Sequence, residues 1–101
     1  CPPNYACIVR CLGPDACDTG TVVCPPNYPC TLICDEGVDA CGDIDFRCGS
    51  GPCSIECGPG DQPCAGARVR CGTGPCSATC AGDSTPDEMR GCNMACSCTE
   101  C

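Results

Sequence analysis

The chain has no His, no Trp and no Lys, and its aromatic residues are only Phe46, Tyr5 and Tyr28. Each absence excludes something. Without His, the usual general base and the relay of a nucleophilic triad are missing. Leu, Ile, Val and Phe together number 12 of 101 residues, below the roughly 20% under which chains usually stay disordered. So thin a set cannot offset about 1–2 kcal/mol of backbone entropy per residue. No apolar run approaches the roughly 20 residues of a membrane helix, so membrane insertion is not expected. Basic residues are scarce. Five Arg against 13 acidic residues leave a net charge of −8, the wrong sign for nucleic-acid phosphates and for anionic membrane surfaces.

What the chain has is cysteine: 19 residues. Cysteine above roughly 8–10% in a short chain marks a disulfide scaffold. Covalent bridges therefore stand in for the missing core, and they place the chain outside a reducing cytosol, at the cell surface or beyond it. The chain begins at Cys1 with no Met or signal peptide, which reads as a processed or excerpted mature chain.

The cysteines repeat. Cys1-Pro2-Pro3-Asn4-Tyr5-Ala6-Cys7 returns as Cys24-Pro25-Pro26-Asn27-Tyr28-Pro29-Cys30, and Cys48-Gly49-Ser50-Gly51-Pro52-Cys53 returns as Cys71-Gly72-Thr73-Gly74-Pro75-Cys76. The starts lie 23, 24 and 23 residues apart, and each full repeat reads C-x4/5-C-x3-C-x5/6-C-x6. Repeats span 1–23, 24–47 and 48–70, with a partial one at 71–80 that has Asp87 where its fourth Cys belongs. Residues 81–101 form a second segment, read as a cap or docking segment, with Cys92, Cys96, Cys98 and Cys101 crowded into it.

Alternation predicts two strands per repeat. Cys7, Val9 and Cys11 share a face, as do Cys30, Leu32 and Cys34, then Cys53, Ile55 and Cys57, then Cys76, Ala78 and Cys80. The second strand places Val22 with Cys24, Phe46 with Ile44 and Cys48, and Val69 with Ala67 and Cys71. Arg10, Arg47, Arg68 and Arg70 fall on the opposite faces. Arg68 is expected one rung from Asp45 and in reach of it, with Arg47 and Arg70 stacked as like charges. Pro, Gly, Asp and Asn separate the strands, as turns require. Residues 85–91 predict one helical turn, capped by Thr85, with Pro86 at its first position and Gly91 at its end.

A two-strand period of 23–24 residues fits a small all-β, disulfide-rich β-solenoid of about four coils, with an irregular Cys-rich C-terminal segment. Its columns would be Val9, Leu32, Ile55, Ala78 and Val22, Phe46, Val69. Cys7, Cys11, Cys17, Cys24, Cys30, Cys34, Cys41, Cys48, Cys53, Cys57, Cys64, Cys71, Cys76 and Cys80 would form a disulfide ladder. Their connectivity stays open, and a string of separate small knots is the alternative. The C-x-V-x-C and V-x-C segments resemble the Cys-rich tandem repeats of secreted bacterial and algal proteins. More distantly, they are similar to the small β-solenoid antifreeze proteins stapled by internal disulfides. The resemblance covers residues 1–80 and implies the fold, not a function.

No catalytic residue, cofactor or metal site is expected, and the chain is read as not an enzyme. The C-x-C and C-x-x-C spacings of Cys96, Cys98 and Cys101 also occur in thiolate metal sites, but a disulfide knot closing the end is the preferred reading. Asp35, Glu36, Asp39, Asp43 and Asp45 crowd one turn without a calcium-loop signature, and a solvated acidic turn is preferred. Pro-Pro-Asn-Tyr matches the short motif read by WW domains, yet a turn that stacks Tyr5 on Tyr28 explains it without a partner. Ice binding would need a regular Thr array, and the outward columns Ile8, Thr31, Ser54, Ser77 and Arg10, Ile33, Glu56, Thr79 are irregular.

The expected function is structural: a subunit of an extracellular filament or surface layer, joining copies of itself end to end. Bare strand edges invite addition, and 19 cysteines cannot all pair within one chain. Cys1, Cys92, Cys96, Cys98 and Cys101 are the candidate intersubunit cysteines. An extracellular binding or adhesin repeat is the alternative, with ice or metal binding behind it.

Overall fold

A computed structural model describes residues 4–35, 40–59, 63–80, 88–90 and 98–99, with only the backbone described for Glu88, Met89, Cys98 and Thr99. Among the described residues, nine strands lie in two open sheets. The first holds β1 (Cys7–Leu12), β3 (Cys30–Asp35), β5 (Cys53–Cys57), β7 (Cys76–Cys80) and β9 (Cys98–Thr99), in that order. The second holds β2 (Thr21–Val23), β4 (Asp45–Arg47), β6 (Arg68–Arg70) and β8 (Glu88–Arg90), also in order. Every ladder is parallel. No helix occurs among the described residues.

The chain therefore alternates between sheets, and each strand meets its counterpart from the next repeat. Val9 pairs with Leu32, Leu32 with Ile55 and Ile55 with Ala78. Val22 pairs with Phe46, and Phe46 with Val69. No ladder among the described residues lies inside a single repeat, so separate knots are excluded. A knot would pair its own strands first.

Alternation sets the facing. Leu32, Ile55, Phe46 and Ile44 are fully buried, with Val69 nearly so, and the cysteine sulfurs pack among them. Arg47, Arg68 and Arg70 point to solvent. The apolar interior is small, and Cys supplies much of it, in keeping with a free-energy gain of about 25 cal/mol per Å² of apolar surface buried.

The corners are pinned rung to rung by backbone hydrogen bonds. The amides of Cys7, Cys30 and Cys53 donate to the carbonyls of Pro29, Pro52 and Pro75 at 2.8–2.9 Å. In the other corner, the Cys17 and Cys41 amides donate to Ala40 and Pro63 at 2.7 and 2.8 Å. Two residues after the fourth Cys of each full repeat the backbone turns left-handed, at Thr19 (φ 59°), Asp43 (φ 51°) and Gly66 (φ 82°). Only glycine adopts that conformation freely. Close stacking also explains the Gly-x-Gly corners, since a Cβ on Gly49 would stand 2.6 Å from the Pro25 carbonyl oxygen.

The helical turn expected at 85–91 is not formed where the chain is described. Residues 88–90 are strand β8, with Val69 opposite Met89 and the Cys71 amide donating to the Arg90 carbonyl at 2.7 Å. Residues 85–87 and 91 lie outside the described residues. A helix cap contributes only about 1 kcal/mol, whereas the edge of β6 offers a ready row of backbone partners. The sheets thus extend past residue 80, and β9 sets Cys98 opposite Cys76 and Thr99 opposite Ser77.

Candidate functional site: stapled corners and an open edge

Six disulfides join described cysteines: Cys11–Cys17, Cys24–Cys30, Cys34–Cys41, Cys48–Cys53, Cys57–Cys64 and Cys71–Cys76. Cys7 and Cys80 are disulfide-bonded as well. Each of the six closes a corner of 5–7 residues between one strand and the next. None crosses from one repeat to another. Short loops lose little chain entropy, so each bridge contributes about 2 kcal/mol. Bridges of this kind are typical of extracellular proteins.

The bridges stack in two columns, one at each corner. The sulfurs of Cys24, Cys48 and Cys53 lie within 4.8 Å of one another. That proximity comes from one bridge lying over the next. These sulfurs are oxidised, and a disulfide sulfur is not the thiolate that metals require. Of the candidate intersubunit cysteines, Cys98 has its backbone in β9, and Cys1, Cys92, Cys96 and Cys101 lie outside the described residues.

The open edge belongs to the first repeat. Among the described residues, β1 pairs only with β3, and β2 only with β4. Interior positions are less covered here: Val9, Val22 and Cys17 are partly exposed, while Leu32 and Phe46 are at 0%. Beside Arg10 and Thr21, several outward positions here are apolar. Tyr5, Ile8, Leu12 and Val23 are 68%, 62%, 51% and 55% exposed. The register partners on the next repeat are polar or charged: Thr31 beside Ile8, Asp35 beside Leu12 and Arg47 beside Val23. Sequence reasoning missed this patch. Its signal was the swap from apolar to polar or charged at Ile8, Leu12 and Val23.

Charge gathers on the second sheet. Arg47 Nη2 lies 2.9 Å from Asp45 Oδ2, and Arg47 Nε donates to the same oxygen at 3.0 Å. Arg70 Nε lies 3.3 Å from Asp45 Oδ1. This contact is off the hydrogen-bond line, so the buried Oδ1 has an ionic neighbour but no hydrogen bond. Asp45 is thus a strand residue clamped between two guanidinium groups, not part of a solvated acidic turn. Asp43 is exposed, Asp35 is half-buried at the end of β3, and Glu36 and Asp39 lie outside the described residues.

No protein family, curated protein or solved structure matches this chain. No helix among the described residues is long and apolar enough to cross a membrane.

Proposed function

We propose that this chain is a small β-solenoid, each repeat one coil, and that it serves as a non-catalytic structural subunit of an extracellular filament or surface layer. Copies add end to end. The observation that carries the reading is the open edge of β1 and β2, where exposed apolar side chains replace the polar ones of later coils. A second copy would supply backbone partners for that edge and cover Val9 and Val22. Parallel stacking repeats the existing ladder geometry, and a joint that does not close makes a filament. With 19 cysteines, at least one must stay unpaired or bridge outward, and Cys1, Cys92, Cys96, Cys98 and Cys101 are the candidates. Such a bridge would form by exchange with a small disulfide, which leaves as its thiol. The partner is the chain itself, with no role for nucleic acid, cofactor or membrane insertion.

Electron microscopy and non-reducing gels of the oxidised chain test this. Filaments and covalent multimers are expected. Ile8→Lys with Leu12→Lys should abolish them while leaving the circular dichroism unchanged, because charged residues on an edge strand block addition. A dispersed monomer, with one band at monomer mass, would overturn the reading in favour of a binding module.

A further inference from the structure

Two stapled corners lie directly over one another. Cys24–Cys30 closes the corner from β2 to β3, and Cys48–Cys53 closes the corner from β4 to β5. Parallel ladders hold the two in register. Cys30 and Cys53 are partners across β3 and β5. Cys24 and Cys48 each stand one position beyond the Val23–Arg47 pair, and the Cys24 amide donates to the Arg47 carbonyl at 2.8 Å. Gly49 has no side chain to hold its corner off the Pro25 carbonyl. The sulfurs of Cys24, Cys48 and Cys53, which belong to two different bridges, therefore lie within 4.8 Å of one another. Cys24, Cys30 and Cys53 are buried, and Cys48 is half-buried.

We propose that these two bridges form one thiol–disulfide exchange site. Its co-reactant is a small thiol, and its product is a pair of repeat-to-repeat bridges, Cys24–Cys48 and Cys30–Cys53. The thiol loses its proton to solvent, and the thiolate attacks the half-buried Cys48 sulfur. The Cys48–Cys53 bond breaks, and Cys53 leaves as a thiolate. Cys53 attacks its ladder partner Cys30, forms Cys30–Cys53 and expels Cys24 as a thiolate. Cys24 then attacks Cys48, whose sulfur lies within 4.8 Å, and forms Cys24–Cys48. The small thiol is expelled and regains its proton. Two disulfides are consumed and two are made, so no net oxidant or reductant is needed.

Both new bridges join neighbours along a ladder. Paired strands lie about 4.8 Å apart, inside the roughly 4.4–6.8 Å between Cα atoms that a disulfide spans. The backbone hydrogen bonds therefore stay in place while the sulfurs change partners. Chain entropy sets the direction. The corner bridges close separations of 6 and 5 residues. The new ones close 24 residues, from Cys24 to Cys48, and 23, from Cys30 to Cys53. A longer closed loop restricts the unfolded chain more, so exchange runs toward the repeat-to-repeat pair. The corner staples thereby become staples along the stack, which resist peeling of one repeat from the next. All of these bonds lie within one chain, so the exchange is independent of end-to-end addition.

Peptide mapping without reduction tests this. The oxidised full chain is incubated with reduced glutathione near the usual thiol pKa, about pH 8, quenched in acid, blocked with maleimide and cut with trypsin. Before exchange, residues 11–47 and 48–68 come apart, because each of their five described bridges closes within its own peptide. Exchange joins the two peptides through Cys24–Cys48 and Cys30–Cys53, with no gain of maleimide. Cys53→Ser does away with the added thiol, since it leaves Cys48 as a thiol against the Cys24–Cys30 bridge. Attack of Cys48 on Cys24 should then join the peptides and shift the maleimide from Cys48 to Cys30 in most molecules. A label that stays on Cys48 in the folded variant would overturn the proposal. Should that variant not fold, the unmodified chain carries the test alone. Peptides that stay separate there, with or without glutathione held on Cys48, would overturn it. So would joining through Cys34 or Cys57 as often as through Cys24 and Cys48, the mark of exchange in an unfolded chain.

Discussion

Asp45 and Arg68 are register partners across β4 and β6, yet the Asp45 carboxylate pairs with Arg47 and Arg70. Arg47 lies two residues along the same strand and shares its face, and Arg70 is the diagonal neighbour. Both guanidinium side chains are about half exposed, at 50% and 52%, so solvent screens the pairs to about 0–1 kcal/mol each. Asp45→Ala is expected to lower stability by about 1 kcal/mol, and Arg68→Ala to leave it nearly unchanged. Urea denaturation with the bridges intact reads both. Equal losses from the two variants would show that the carboxylate serves Arg68 after all.

Phe46 is the only Phe, and it is fully buried between Val22 and Val69. Phe46→Ala should cost about 3–5 kcal/mol, the range for a large buried aromatic. Val22→Ala should cost clearly less, because the open edge already leaves Val22 partly exposed. The comparison is internal: both residues sit in one column, and only coverage differs. If the two losses matched in denaturant melts, the edge would be better covered than the strand pairing implies.

Strand facing was legible because a period of two leaves few options. Cys7, Val9 and Cys11 could share the interior only if Ile8 and Arg10 faced out, and the structure places them so. The register was legible for the same reason, since cysteines at fixed spacing must stack. The bridge pattern was not. Spacing allowed many pairings, and only the corner geometry brings Cys34 to Cys41 rather than to a neighbouring repeat. The 88–90 segment was misread because Thr85, Pro86 and Gly91 supply good local helix signals. Such signals are weak beside the edge of β6, which lies far away in the chain. Asp45 was legible as a strand residue one rung from Arg68, and the register has it there. Its carboxylate pairs instead with Arg47 and Arg70, a side-chain choice that strand register alone does not fix.

Thr19 is β-branched and sits at φ 59°, where the equivalent residue of a later repeat is Gly66. A left-handed backbone costs an L-residue about 1–2 kcal/mol, against about 0.5–1 kcal/mol of added unfolded-chain entropy for glycine. Thr19→Gly should therefore stabilise the protein modestly, by up to about 1 kcal/mol. The reverse change, Gly66→Thr, should cost more. It meets the same backbone strain, and its Cβ would press to 2.6 Å from Asp43 Oδ1. Thermal melts of both variants under oxidising conditions test the pair. Destabilisation by Thr19→Gly would mean that the Thr19 side chain makes contacts that outweigh its strain.

Reduction should unfold the chain. Among the described residues, the large fully buried aliphatic and aromatic side chains are Phe46, Leu32, Ile44 and Ile55, with Val69, Ala40 and Ala67 beside them. Against this stands the ordering entropy of the whole chain, about 1–2 kcal/mol per residue. Each bridge adds only about 2 kcal/mol, so no single one decides the fold and their sum does. Two consequences follow for the measurement. Removing one internal bridge, by Cys48→Ala with Cys53→Ala, should lower the midpoint of thermal unfolding without abolishing the strand signal in circular dichroism. Complete reduction in strong thiol should abolish that signal and raise protease susceptibility at the Arg47 and Arg70 sites. A reduced chain that kept its strand spectrum would show that the stacked backbone ladders hold without covalent corners, and the disulfide columns would then need another purpose.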